Sequence, residues 1–340
     1  MRAAWYETTG TASEVLRHGE LETPTPKVGQ ALVRLHASGV NPADVKARSG
    51  WLKVHENFSR VIPNCDGAGV VAQGVSRERP LDVVEAVGRD VEKSWIGKRV
   101  WVHFSKENPN GTAAEYIPAA LADIHPLPAN VSYAEGACVG VPVATAHHIV
   151  LVDGSVSGQT VLVAGGAGVV AHYAIQIAKL SGATVITTVS SPEKAAHAKA
   201  AGADHIINYR EAEVASRIME ITEGAGVDRI VEVDLGANMA LDAKVIKPNG
   251  VIASYSSTSN REPVLPYYAF ALKGVTLHLV QAYVLTPEKR RRMFDDIAGW
   301  LAAGALQFTI GRQFKLHEIV DAHEAVEQGT VMGKVIVDLG

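Results

Sequence analysis

The chain has 340 residues, more than one hydrophobic core usually supports, so two domains are expected. Apolar residues make up 47% and charged residues 20%, and a net charge of -4 argues against nucleic acid or an anionic membrane surface as a partner. Two cysteines (Cys65 and Cys138) exclude a disulfide framework and a four-thiolate zinc site and fit a cytoplasmic setting, and MRAAWYETTG has no signal-peptide core and no window has eighteen apolar residues.

In chain order, ALVRLHASGV (31–40), AGVVAQGV (68–75) and KRVWVHF (98–104) read as strands of an antiparallel, barrel-like domain. Between the last two, GVVAQGVSRERPLDVVEAVGRDV sets two similar Val-Val segments around a charged centre, the pattern of a surface hairpin or inserted loop. NVSYAEGACVGVPVATAHHIV (130–150) reads as helical linkage into a second unit.

From residue 160 short apolar strands alternate with helices. The strands are TVLVA (160–164), TVITTV (184–189), HIINY (205–209), RIVEV (229–233) and VIASYS (251–256). The helices are 169–181, 192–201, 211–222 and 236–246. This alternation predicts an α/β fold with a doubly wound parallel sheet. In the first helix Val170, Ala174, Ile177 and Ala178 recur at spacings of three and four and give one buried face. VTLHLVQAYV (275–284) reads as a long strand, either interior or pairing across a dimer interface. A helix follows over 287–304, and the terminal GKVIVDLG returns to strand character and is free to rejoin the first domain.

The stretch VLVAGGAGVVAHYAIQIAK (161–179) carries the first chemistry. Gly166, Gly168 and Ala171 satisfy G-x-G-x-x-G/A directly after a strand and before a helix. The first glycine permits a sharp turn, the second lets backbone approach a pyrophosphate, and the third position needs only a small side chain. Amides of Ala167, Val169 and Val170 at the helix start would face phosphates. An NAD site usually places an acid at the tip of the next strand, but here Ser190, Ser191, Pro192, Glu193 and Lys194 follow TVITTV. Hydroxyls and a lysine suit a 2′-phosphate, with Glu193 turned outward, so the expected cofactor is NADPH.

These residues carry a family likeness. With SGVNPADVKARSG, DGAGVV, GKRVW, GTAAEY, GADHIINYR, GAGVDRIVEV and GKVIVDL, the chain resembles the zinc-free, zeta-crystallin-like quinone oxidoreductases of the medium-chain dehydrogenase/reductase superfamily. The resemblance spans nearly the whole chain. It implies a GroES-like, mainly antiparallel catalytic domain (1–125 and 305–340) and a Rossmann NADPH-binding domain (126–304). It also implies an active site between them and a homodimer or homotetramer. Carried over by position, the 2′-phosphate contacts fall on Ser190, Lys194 and Tyr209. The active-site asparagine falls on Asn41, with a turn role before Pro42 as the alternative, and Thr145 matches a threonine beside the nicotinamide. Asp234, Tyr255 and Ser256 follow the fourth and fifth strands, on the edge that lines a cofactor cleft.

The chain departs from that family at Ala171 and Val169, at Lys46 where many members carry tyrosine, and over about Ala72 to Val84. The zinc-ligand positions of related alcohol dehydrogenases fall on Asn41, Cys65 and Val141, one soft ligand of three, so no metal is expected. Asp44 is expected to hold local backbone, and Cys65 to be a buried small residue. Without a Lewis acid, acceptors needing little activation are favoured. The expected reaction is hydride transfer to a quinone, with Asn41 and Thr145 on the carbonyl and the proton from solvent. An enone or alkenal reductase would use the same site, and an NADPH-binding sensor or structural protein is the reading from another class.

Overall fold

A computed structural model describes residues 1–73, 75–76, 83–84, 87–104 and 108–340. The chain divides into two compact units, Met1–Val141 with Asp296–Gly340, and Pro142–Asp295.

The first unit is built on a mainly antiparallel sheet. Strand β1 (Gln30–Val40) pairs with β2 (Asp66–Val71), which pairs with β3 (Arg99–His103). Strand β4 (Tyr116–Ala120) returns onto β1, and β5 (Ile124–Pro126) borders β3. Helix α1 (Pro42–Arg48) leaves β1 through Asn41, its N-cap, and Pro42 starts the helix where no amide is needed. Val33, Leu35, Val71, Val100, Val102 and Ile117 pack in the apolar core. Val75–Ser76 pairs antiparallel with Val83–Val84, the stem of the expected hairpin. Its charged centre, within the expected insertion Ala72–Val84, lies outside the described residues.

The linking segment folds into a helical turn at Tyr133–Gly136 and a π-helical turn at Val139–Val143 that contains Pro142. Helix α2 (Ala144–Val150) follows in the second unit. Beyond it come β6 (Thr160–Val163), α3 (Val169–Leu180), β7 (Thr184–Val189), α4 (Pro192–Ala200), β8 (His205–Asn208), α5 (Val214–Ile221), β9 (Val227–Glu232), α6 (Leu235–Val245), β10 (Ile246–Ser254) and β11 (Thr276–Leu279). The strands lie in the order β8-β7-β6-β9-β10-β11, all parallel. Five of the six residues of β7 are buried, as a strand covered by helices on both faces requires. The chain reverses direction across the sheet between β6 and β9, so their C-terminal ends bound the crevice where such sheets bind ligands.

The stretch at 275–284 is shorter than its apolar run suggests. Only Thr276–Leu279 is strand, on the sheet's edge, because its pairing stops where β10 ends, Leu279 against Ser254. A 3-10 turn occupies Ala282–Val284. Helix α7 (Pro287–Ala302) follows, and β12 (Ile310–Lys315), α8 (Ile319–Gln328) and β13 (Lys334–Asp338) complete the first unit. The terminal strand β13 pairs antiparallel with β1, Val335 against Val40 through Asp338 against Ala37. Among the described residues, no helix is long and apolar enough to cross a membrane.

Candidate functional site

The loop after β6 is held from beneath by β7. The Gly165 amide donates to Thr188 Oγ1 at 3.1 Å, and the Gly166 amide to the Thr188 carbonyl at 3.0 Å. Gly166 does different work from that read in the sequence. The sharp turn is made at Gly165, whose φ is 67°, a left-handed value that favours glycine. Gly166 is needed for space, since a Cβ there would fall inside the shell of the Thr187 hydroxyl. Gly168, by contrast, is exposed with φ of -71°, and a Cβ on it would meet only the Gly165 carbonyl, at 3.4 Å. No protein contact within that range demands glycine at 168. Gly168 is the N-cap of α3 and no side chain caps the helix. The first-turn amides of Val169, Val170 and Ala171 therefore point out of the helix start, a geometry that suits an anion. Ala171 itself is fully buried, where a third glycine would leave a gap.

At the tip of β7 the predicted 2′-phosphate residues come together. Lys194 Nζ donates to Ser190 Oγ at 3.0 Å. Ser191 caps α4 by accepting from the Lys194 amide, which fixes the first turn and directs Lys194 back over the strand end. Glu193 is fully exposed and its side chain bonds back to Ser191, which lowers its carboxyl pKa. Tyr209 sits on the adjacent strand end, its amide bonded to the Val189 carbonyl at 3.0 Å and the residue 51% exposed.

Asp234, Tyr255 and Ser256 gather at the ends of β9 and β10. The Asp234 carboxylate accepts from the Ser259 amide at 3.2 Å, and the Tyr255 amide donates to the Glu232 carbonyl. The Ser256 hydroxyl bonds Thr258, and its carbonyl accepts from the Leu235 amide. Glu232 lies buried beneath them, accepting from the Asp234 amide and from Asn238 Nδ2. Asp242 on α6 is buried too, without a hydrogen-bond partner among the described residues for either oxygen. Burial, and then the charge of Glu232, push its carboxyl far above the usual range. Thr145, on the first turn of α2, is half-buried in the same unit.

Asn41 belongs to the first unit, where it is part of a buried polar knot. Its Nδ2 donates to Asp66 Oδ2 at 2.8 Å and its Oδ1 accepts from Lys334 Nζ at 2.5 Å. Lys334 Nζ also donates to Asp66 Oδ2 at 2.8 Å, and Asp66 Oδ1 accepts from the Val141 amide at 2.7 Å. Asn41, Asp66 and Lys334 are 3%, 0% and 1% exposed. Asp44 accepts from the Asn41 amide at 2.7 Å and from the Cys65 thiol. Burial, then the neighbouring Asp66, push the Asp44 carboxyl up to about 6, and burial raises the Cys65 thiol. Lys46 lies over the Trp51 ring at 4.7 Å.

The zinc-ligand positions do not fit a zinc ion. Val141 offers only its backbone, the Cys65 thiol is protonated against Asp44, and the Lys334 ammonium sits on the Asn41 oxygen, where it would repel a dication. Among the described residues no three His, Cys, Asp or Glu side chains gather around one point.

Sequence reasoning did not single out Gly165, Asp66 or Lys334. Asp66 and Lys334 lie in quoted stretches, but nothing in the sequence signals that residues 268 positions apart bond one another.

Two family models match most of the chain. The alcohol dehydrogenase GroES-like domain matches residues 27–153, and the zinc-binding dehydrogenase model matches 169–299. The quinone oxidoreductase of Homo sapiens is 29% identical over 333 residues, 95% of this chain and 94% of its own. A crystal structure of an NAD-dependent alcohol dehydrogenase has a TM-score of 0.88 at 28% identity, covering 100% of both chains. A mycobacterial protein complexed with NADPH has a TM-score of 0.84 at 26% identity, again over 100% of both chains.

Proposed function

The chain belongs to the medium-chain dehydrogenase/reductase superfamily and is an oxidoreductase, and on that premise we propose that it reduces quinones with NADPH and without zinc. The observation that carries the cofactor choice is the Lys194–Ser190 bond at the tip of β7, with the exposed Glu193 carboxylate held by Ser191. An ammonium and a hydroxyl meet where a 2′-phosphate would lie, and the one carboxylate nearby, that of Glu193, is engaged by Ser191. Tyr209, on the next strand end, packs beside the adenosine.

The loop fits the rest of a dinucleotide. Gly166 is too close to Thr187 for a side chain, Gly168 leaves bare backbone, and α3 opens with uncapped amides. Ala167, Val169 and Val170 offer those amides to the pyrophosphate. Asp234, Tyr255 and Ser256 take the nicotinamide side of the crevice.

When bound, the reduced nicotinamide supplies a hydride, and a quinone that accepts it with one proton from water becomes the hydroquinone. The chain's own residues orient the acceptor and stabilise its oxygen. Asn41 donates an amide N–H to the carbonyl as negative charge develops, with Thr145 as the second donor. Asp44 holds the Asn41 backbone, and the proton comes from solvent. Quinones suit such a site because their product anion is delocalised and needs no Lewis acid.

The reading includes a homodimer or homotetramer. It is supported by β11 at the sheet's edge and by Val264, Tyr268, Leu272, Leu279 and Val284, all exposed apolar residues around it. It also includes a reducing, cytoplasmic compartment, supported by two free buried cysteines.

Steady-state NADPH oxidation with a panel of p-benzoquinones, enones and alkenals tests the function. Turnover with quinones well above that with enones is expected. Faster turnover with enones overturns the quinone assignment, and tight NADPH binding with no turnover on any acceptor overturns the enzyme reading.

A further inference from the structure

The buried Asp66–Lys334 pair asks for a reason beyond stability. A buried ion pair roughly breaks even against apolar residues of the same volume. Yet the fold keeps space beside it. A Cβ on Gly140 would collide with the Asp66 carboxylate, and one on Gly39 of β1 would meet the Ala137 carbonyl first and then the Lys334 Cε at 2.6 Å. Neither glycine has a positive φ, so space and not backbone freedom accounts for both.

The pair also fixes the identity of each Asn41 amide atom. A lysine ammonium only donates, so the atom facing it is the oxygen. An ionised carboxylate only accepts, so the atom facing Asp66 is the nitrogen. A flipped amide would set NH2 against the ammonium and oxygen against the carboxylate. Asp66 takes one N–H of Nδ2, and a primary amide has two.

We propose that Lys334, anchored by Asp66, is a positioning residue that locks the Asn41 carboxamide and presents its second N–H to the substrate oxygen. The ammonium on Oδ1 draws electron density through the amide and makes that N–H a stronger donor, an effect that grows with charge on the acceptor. This rests on the reading of Asn41 as the carbonyl donor.

The test is a double-mutant cycle with NADPH and p-benzoquinone on Asn41→Ala, Lys334→Met and both together. Lys334→Met is expected to lower kcat about tenfold or more, with both KM values within about twofold. The double variant is expected to be no slower than Asn41→Ala. In the protein without cofactor, the Asn41 side-chain amide resonances, identified by their loss in Asn41→Ala, are expected to move in Lys334→Met. If Lys334→Met does not fold, Asp66→Asn with Lys334→Met removes both charges and is expected to show the same loss of kcat. Losses that multiply, a change confined to KM, or unmoved amide resonances overturn the positioning role and leave Asn41 as donor. An unchanged kcat in Asn41→Ala overturns the donor reading, and the positioning role with it.

Discussion

The two units carry their functional residues in opposite ways. The second presents backbone: uncapped amides, an exposed Gly168 and strand tips, with Ser190 and Lys194 four residues apart. The first buries side chains, with Asn41, Asp66 and Lys334 drawn from two β-strands and a helix cap. An anion site made of amides needs only a local turn and a helix start, whereas a buried charged knot needs every partner in place. Damage should therefore differ in kind, with cofactor affinity lost in one unit and turnover lost in the other.

The largest effect is expected at the loop. Gly166→Val forces a side chain against Thr187, and NADPH binding followed by fluorescence titration should weaken by about 100-fold or more. A loss of kcat with unchanged NADPH affinity would break the contrast between the units. Lys194→Ala should raise the NADPH Michaelis constant about 10-fold or more and leave that for NADH within about twofold. Equal effects on both nucleotides would remove the 2′-phosphate from this site.

A smaller effect separates stability from function. Asp242 keeps its proton in the folded state, while the unfolded chain gives it up near the ordinary carboxyl pKa. The native state thus binds more protons, and stability falls as pH rises above that ordinary value until the native group ionises. Asp242→Asn mimics the protonated acid and should remove this fall. Thermal melts should show a gain of about 2 kcal/mol at pH 8 that shrinks by pH 5. A variant that melts lower than the parent at pH 8 would show that Asp242 is ionised in the fold.

What the sequence disclosed follows the same division. TVITTV is the strand Thr184–Val189, and the helix after the glycine loop begins at Val169, because both signals are contiguous. The parallel sheet and the return of the terminal strand onto the first unit were legible from pattern and resemblance. The length of the strand at 275–284 was not, since its limit is set by where its neighbour ends. Nor was the division of labour between Gly165 and Gly166, which depends on Thr187 beneath them. The Lys334–Asn41 bond spans 293 positions, so no contiguous signal marks it.

The central claim, an NADPH-dependent reductase, is tested most directly by the coenzyme preference of the unmodified enzyme. With p-benzoquinone as acceptor, kcat/KM for NADPH should exceed that for NADH by about tenfold or more. Equal values, or a preference for NADH, would contradict it.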